Sequence, residues 1–281
     1  MEKAEVYYFS GTGNSYAAAR DIADLINGKL ISIALVSKNE SIKINSDITG
    51  IVFPVYFGSN DIHIPLIVNR FISKLENIDS KYIFSVCTYG GGVDNTFDKV
   101  NGLLKMKGGK LSAGFGVHMP QNAFRKPFDS KERKYRQWKK KSEKISEIVK
   151  QKKSCAFEKN GLVFSLIKRF FELFINLPRA EKRGIAKCAG LSESLPFREL
   201  MLSTDNSYTA NEKCSGCGIC EKICPVDNII MAGKYPVWQN HCENCLACHN
   251  WCPQHAIQGG IAGDYYYLNP DVKISDFLDH G

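Results

Sequence analysis

Five short apolar runs, at residues 4–9, 30–33, 48–55, 82–87 and 111–117, punctuate the first 150 residues. Between and after them, at 14–26, about 65–75, 95–105 and 130–150, apolar positions recur at helical intervals. Short apolar runs of this kind read as buried strands, and the periodic segments as helices. Alternation of the two predicts an α/β fold, a doubly wound five-stranded parallel sheet covered on both faces, over residues 1–125. In such sheets ligands bind outside the carboxyl ends of the strands. The loops that follow the strands are therefore where the chemistry is expected.

Residues 126–204 are patterned differently and are read as a helical insert or connector. In "GLVFSLIKRFFELFINL" (161–177) the polar residues are Ser165, Lys168, Arg169, Glu172 and Asn176. Their three- and four-residue spacing puts them in one narrow stripe on an otherwise apolar helix. Such a helix is expected to be buried around most of its circumference, packed against the segments on either side, with a membrane-surface helix as the alternative. The charges within it exclude a membrane span.

Charge sharpens the picture of this insert. The chain carries a formal +8, but residues 121–200 hold 21 Lys and Arg against 9 Asp and Glu, a local +12 that leaves about −4 elsewhere. A basic middle between mildly acidic ends suits an acidic partner or an anionic surface, or is a solvated helix face.

With 281 residues and 44% hydrophobic content the chain can bury more than one core. Met1-Glu2-Lys3 leads straight into the first strand without a secretory pattern, so a cytoplasmic location is expected. There, cysteines signal metal or redox work more than disulfides. Eight of the eleven lie between Cys214 and Cys252.

These eight form an internal repeat with a period of 28 residues, "CSGCGICEKICP" (214–225) and "CENCLACHNWCP" (242–253). Each reads C-x2-C-x2-C-x3-C-P, the bacterial ferredoxin run, in which three close thiolates grip one cubane and the fourth reaches the other. The expected sets are Cys214, Cys217, Cys220 and Cys252 for one 4Fe-4S cluster, and Cys242, Cys245, Cys248 and Cys224 for the second. Zinc prefers two separated CxxC pairs and fits this spacing poorly. Residues 205–262 are thus expected to be a small α+β domain with two clusters, and 263–281 a tail without assignable chemistry. With every cluster ligand assigned, His241, His249 and His255 are expected at the surface. Cys155 and Cys188 read as ordinary thiols, and Cys87, ending a strand, as a small buried hydrophobe.

The loop after the first strand, "SGTGNS" (10–15), mixes hydroxyls with glycines and opens directly into a helix. Successive amides and hydroxyls at a helix N-terminus make a concavity suited to a dianion. It is neither GxxxxGK[ST] nor GxGxxG, and it contains no lysine or arginine, so it suits one terminal phosphate held by neutral donors. "YFSGTGNS" resembles the phosphate loop of the flavodoxin family, whose members bind FMN. The resemblance implies that Ser10, Gly11, Thr12, Gly13, Asn14 and Ser15 hold the phosphate.

By the same resemblance "FPVYFGSN" (53–60) and "CTYGGGVDN" (87–95) enclose the flavin ring. Tyr56 or Phe57 and Tyr89 are then its aromatic neighbours, and Gly90, Gly91 and Gly92 allow close backbone approach. Pro54, Gly58, Thr88 and Asn95 complete the candidate cofactor set. "GVHMPQNAF" (116–124) opens on the same rim and brings His118, Met119 and Asn122; its plain reading is a proline-directed strand exit. His118 and Tyr89 are the candidates for a catalytic proton donor.

The whole chain resembles the flavodoxin–ferredoxin fusion proteins of anaerobic microbes, over about 4–124 and 205–260. That resemblance implies an electron-transfer iron-sulfur flavoprotein passing low-potential electrons between two 4Fe-4S clusters, FMN and a redox protein of ferredoxin or flavodoxin type. The alternatives are a terminal reductase (a flavin-dependent oxidoreductase) acting on a small molecule under the insert, and a redox sensor. Neither a nucleic acid partner nor a membrane span is expected.

Overall fold

The computed structural model describes residues 3–123, 131–161, 165–167, 169–170, 174 and 176–278. It divides into two compact units: 1–58, 63–120 and 128–160 form the first, and 59–62, 121–127 and 161–281 the second.

The first unit is built on five parallel strands, β1 (Ala4–Tyr8), β2 (Lys29–Ser32), β3 (Ile48–Pro54), β4 (Tyr82–Tyr89) and β5 (Leu111–His118), in the order β2-β1-β3-β4-β5. This is the flavodoxin-like doubly wound order, with its switch point between β1 and β3. Val6, Ile51, Val52, Phe84 and Ala113 are fully buried, because both faces of a parallel sheet are covered. Helices α1 (Asn14–Ile26), α2 (Leu66–Ser73) and α3 (Thr96–Met106) turn their apolar stripes inward: Ala18, Ala19 and Ile22; Val68, Phe71 and Ile72; Val100 and Leu104.

The observed strand ends differ from the apolar runs by one or two residues, and two strands run longer. β4 and β5 extend past the expected 87 and 117, because the ladder between them continues through the Thr88–Val117 and Tyr89–His118 pairs. Backbone pairing carries the strand beyond the last apolar residue.

The boundary expected at 125 also falls elsewhere. The charged helix α4 (Lys131–Lys150) belongs to the first unit. Its buried positions, Lys134, Trp138, Ser142, Ile145, Ser146 and Val149, trace one face. Trp138 Nε1 donates to Asp21 of α1 at 2.8 Å. Residues 155–158 then run beside β5, Cys155 N donating to Ser112 O (3.1 Å) and Glu158 N to Gly114 O (3.0 Å), which covers an otherwise open sheet edge.

The second unit contains α5 (Leu177–Ala189) and α6 (Phe197–Leu202), followed by the cysteine-rich segment. Here β6 (Thr209–Ala210) pairs antiparallel with β9 (Ile257–Gln258), and β7 (Ile229–Ala232) with β8 (Tyr235–Trp238). Two one-turn helices, α7 (Ile219–Lys222) and α8 (Ala247–Asn250), follow the third-from-last ligand positions of the two runs. The tail is tied down: Tyr267 is 2% exposed and its N–H donates to Asn250 Oδ1 at 2.8 Å.

The apolar segment 161–177 does not meet its expected burial among the described residues. Leu166, Ile167, Phe170, Phe174 and Leu177 are 41–72% exposed. Burial begins only in α5, at Ile185, Ala186 and Ala189. Residues 162–164, 168, 171–173 and 175 of that prediction lie outside the described residues. Among the described residues no helix is long and apolar enough to cross a membrane.

Candidate cofactor sites

The loop between β1 and α1 is enclosed. Thr12, Asn14 and Ser15 are buried, and Gly13 caps α1 with φ 98°, a backbone that L side chains rarely adopt. Gly13 N donates to Ser10 Oγ at 3.1 Å, and Ala17 N to Gly13 O at 2.9 Å. The chain therefore folds sharply back and aims the first amides of a 13-residue helix into the loop. No acidic side chain occupies the first turn of α1. The neutral donor set fits a terminal phosphate.

Two members of the expected phosphate set are engaged structurally. Ser15 Oγ lies 2.7 Å from Thr88 Oγ1, both side chains being buried, so Thr88 sits beneath the loop. Asn14 Nδ2 donates to Pro120 O at 3.0 Å and ties the loop to the exit of β5.

The second loop leaves β3 at Pro54. Val55 N donates to Thr88 O (2.8 Å), and Tyr56 bridges His63. Phe57, with φ 46°, is turned into the interior, whereas Tyr56 is half-buried and edge-on to Phe9 at 6.3 Å. Of the two aromatic candidates, Tyr56 is the one accessible to a planar ring. Gly58 follows, close to the Asp94 carboxylate of the third loop.

The third loop leaves β4 at Tyr89. Gly90, Gly91 and Asn95 are exposed, and Gly92 is half-buried. Tyr89 stacks on His118 with ring centres 5.5 Å apart, so both proton-donor candidates meet on one rim. Burial, then the nearby Glu158 carboxylate, pushes the Tyr89 phenol up. A phenol held protonated can donate a hydrogen bond but is a poor acid at neutral pH. Met119 is buried, its N–H donating to Tyr89 O at 2.9 Å, and belongs to the support rather than the rim. Asn122 falls in the second unit.

Several supporting residues escaped the sequence reading. Asn160 Oδ1 accepts from Val93 N (2.8 Å) while its Nδ2 donates to Asp94 Oδ1 (2.7 Å), clamping the third loop. Glu158 accepts from Gly116 N (2.8 Å) and pairs with Lys141 (2.6 Å). Gly116 has no room for a side chain, since a Cβ there would lie 2.5 Å from Val93 Cγ1 and 3.0 Å from the Tyr89 ring. No signal local to the loop could have found Asn160, which lies 66 residues from Asp94.

In the second unit the internal repeat is written in the backbone. Left-handed residues recur 28 positions apart at Gly216 and Asn244, Gly218 and Leu246, and Asp227 and His255. The fourth cysteine of each run accepts an amide from four residues on: Asn228 N to Cys224 Sγ at 3.2 Å, and Ala256 N to Cys252 Sγ at 3.3 Å.

The eight thiols line two cavities. Cys214, Cys217, Cys220 and Cys252 line the first, and Cys224, Cys242, Cys245 and Cys248 the second. Four thiols line each cavity, three from one run and the fourth from the other. This donor arrangement fits a multi-iron cluster better than one tetrahedral metal. Burial pushes the Cys220 thiol up to about 11 and Cys245 up to about 12, and raises Cys242 and Cys248 well above the usual range. At neutral pH each is a thiol until a metal displaces its proton.

Of the three nearby histidines, His241 and His255 are exposed as expected. His249 is not: it is 3% exposed, with Nδ1 2.8 Å from Ile257 O. It sits on the inward face of α8, which the ligand spacing did not reveal. Cys87 is fully buried beside Ser85, and burial raises its thiol strongly. Cys188 Sγ donates to Gly260 O at 3.0 Å.

Comparison with known proteins gives two kinds of similarity. The 4Fe-4S binding domain family matches residues 209–230. An uncharacterized ferredoxin from Methanocaldococcus jannaschii is 41% identical over 51 residues, 16% of this chain, which spans 66% of that relative's length. Among solved structures, a flavodoxin from Streptococcus pneumoniae TIGR4 is 14% identical, with a TM-score of 0.35, covering 52% of this chain and 99% of that one. A flavodoxin from the domain Archaea is 18% identical, with a TM-score of 0.35, covering 53% and 99%. The assignment of the first unit rests on its own strand order and loops.

Proposed function

We propose that this chain, which joins a flavodoxin-like sheet to a ferredoxin-type 4Fe-4S segment, is a cytoplasmic electron carrier holding two 4Fe-4S clusters and one FMN and serving a redox protein partner. The observation that carries the reading is the division of eight thiols into two four-cysteine cavities, each completed by the distant cysteine of the other run. When bound, a cubane passes single electrons and a flavin one or two. The chain's own residues bind, position and shield these groups.

Cys252 and Cys224 cross between runs, so the two cavities cannot form independently. The amides of Asn228 and Ala256, donating to Cys224 and Cys252, stabilise sulfur charge at equivalent places in both halves. In the first unit the amides of the 10–15 loop hold the phosphate, with Gly13 setting their direction. Tyr56 and Tyr89 flank the ring, and Asn160 and Gly116 keep the third loop in place. Protein prepared without oxygen should contain about eight irons and matching sulfide, with one FMN, per chain. Iron near four, or no flavin, would overturn this account.

Partner choice rests on charge. Arg136, Lys140 and Lys144 stand exposed on α4 and suit an acidic redox protein of ferredoxin or flavodoxin type. Reversing all three to glutamate should slow reduction by such a partner about tenfold or more at low salt, with the difference fading as ionic strength rises. A salt-insensitive rate equal to wild type would remove electrostatic steering. Reoxidation of the dithionite-reduced protein by a small molecule alone, at a rate no protein acceptor matches, would favour the terminal reductase.

A further inference from the structure

The two cluster cavities are built to one plan but differ in their walls. The first is closed by Ile219, Met231, Pro236 and Ile257, and its polar wall residues, Ser215 and Gln254, are exposed. The second is closed by Tyr208 and Trp238, whose rings stack at 5.4 Å, by Ile229 and Leu246, and by the buried polar residues Asn228 and Glu243. Trp238 therefore brings an indole N–H to a cavity wall whose counterpart carries only apolar side chains and solvent-facing polar ones.

That N–H is in an unusual position. Trp238 Nε1 is sealed from solvent and completes no hydrogen bond among the described residues. A buried N–H without a partner is costly, so it persists where another requirement holds it. Trp238 and Cys248 line the same cavity, so the unpartnered donor stands in the wall that surrounds the four sulfurs.

We infer that Trp238 Nε1–H is a hydrogen-bond donor to the sulfur of the cluster held by Cys224, Cys242, Cys245 and Cys248, and that it raises the reduction potential of that cluster alone. This rests on the proposal of two clusters. Adding an electron makes the cluster sulfurs more negative, and a buried N–H directed at them stabilises the reduced form more than the oxidised one. Low dielectric around the buried donor strengthens the effect. The stack on Tyr208 fixes the ring, so the donor cannot swing away when the charge changes. Trp238 acts through the cluster sulfur; it is a positioning and tuning residue, not a ligand.

The test is a reductive titration of the full chain followed by EPR, on wild type and Trp238→Phe. Phenylalanine keeps a ring against Tyr208 and removes the donor. The expected result is two one-electron midpoints in both proteins, with one lowered in the variant. The reduction equilibrium of that cluster should fall three- to tenfold, about 30–59 mV for one electron, while the other holds. Should the smaller ring cost iron, the benzothiophene analogue of tryptophan at 238 repeats the measurement with near-identical shape and no N–H. Two unmoved midpoints, or two that move equally, with about eight irons still bound overturn the role of Trp238 and leave the two-cluster reading standing. Fewer than eight irons in the wild-type chain removes that reading, and this inference with it.

Discussion

Cys252→Ala is expected to strip the cluster gripped by the first cysteine run, not that of the run in which it lies. Cys252 lines a cavity with Cys214, Cys217 and Cys220, although 32 residues separate it from Cys220. The antiparallel pairing of Ile257 with Ala210 and Gln258 with Thr209 holds the second run's end beside the first run's start. Loss of one thiolate from a four-thiolate set should release about four of the eight irons. The single variant alone cannot identify which cluster is lost, because uncrossed pairing predicts the same count. Double variants can. Cys252→Ala with Cys214→Ala should lose no more iron than either alone, since both residues serve one cluster. Cys252→Ala with Cys242→Ala should lose nearly all of it. Uncrossed pairing reverses the two results, so the non-additivity itself reads out the connectivity. Iron and sulfide analysis after anaerobic purification is sufficient.

The iron–sulfur part was legible in the sequence because its chemistry is local and repeated. Three cysteines at fixed spacing determine a loop, and the 28-residue period returns in the left-handed residues of both halves. The sheet was legible for a similar reason: strands buried on both faces must be apolar end to end. What escaped depends on neighbours distant in the chain. The charges of α4 dominate its composition, yet Trp138 and its companions on one face bury against the first unit because Asp21 stands ready for the indole N–H. Asn160 clamps a glycine loop from outside the loop's sequence. His249 looked like a surface residue only because its neighbours are ligands. Segment 161–177 shows the opposite error. Its described residues 165–167, 169–170 and 174 are helical, but the periodicity does not say what, if anything, covers the apolar side.

Gly13→Val is expected to abolish tight FMN binding while leaving the sheet folded. Valine must take φ near 98°, where its Cβ meets the neighbouring carbonyl. A non-glycine residue in the left-handed region costs about 1–2 kcal/mol, and β-branching adds to this. The loop can relieve that strain by turning the peptide away, but this moves the amide now directed at Ser10 Oγ and the amides that open α1. Those amides are the proposed phosphate donors, so the cost falls on the ligand. Each 1.4 kcal/mol lost weakens binding about tenfold, and loss of several aligned donors should exceed 100-fold. Ser15→Ala provides the contrast. It removes the partner of Thr88 Oγ1 in a buried pair 2.7 Å apart, and an unsatisfied buried hydroxyl costs about 1–3 kcal/mol of stability. Its penalty should appear in thermal unfolding more than in FMN affinity. Flavin titration of the two variants, alongside far-UV circular dichroism and melting, separates the cases. An unchanged affinity in a folded Gly13→Val protein would mean that the phosphate is held elsewhere, and the flavin assignment of this loop would fail.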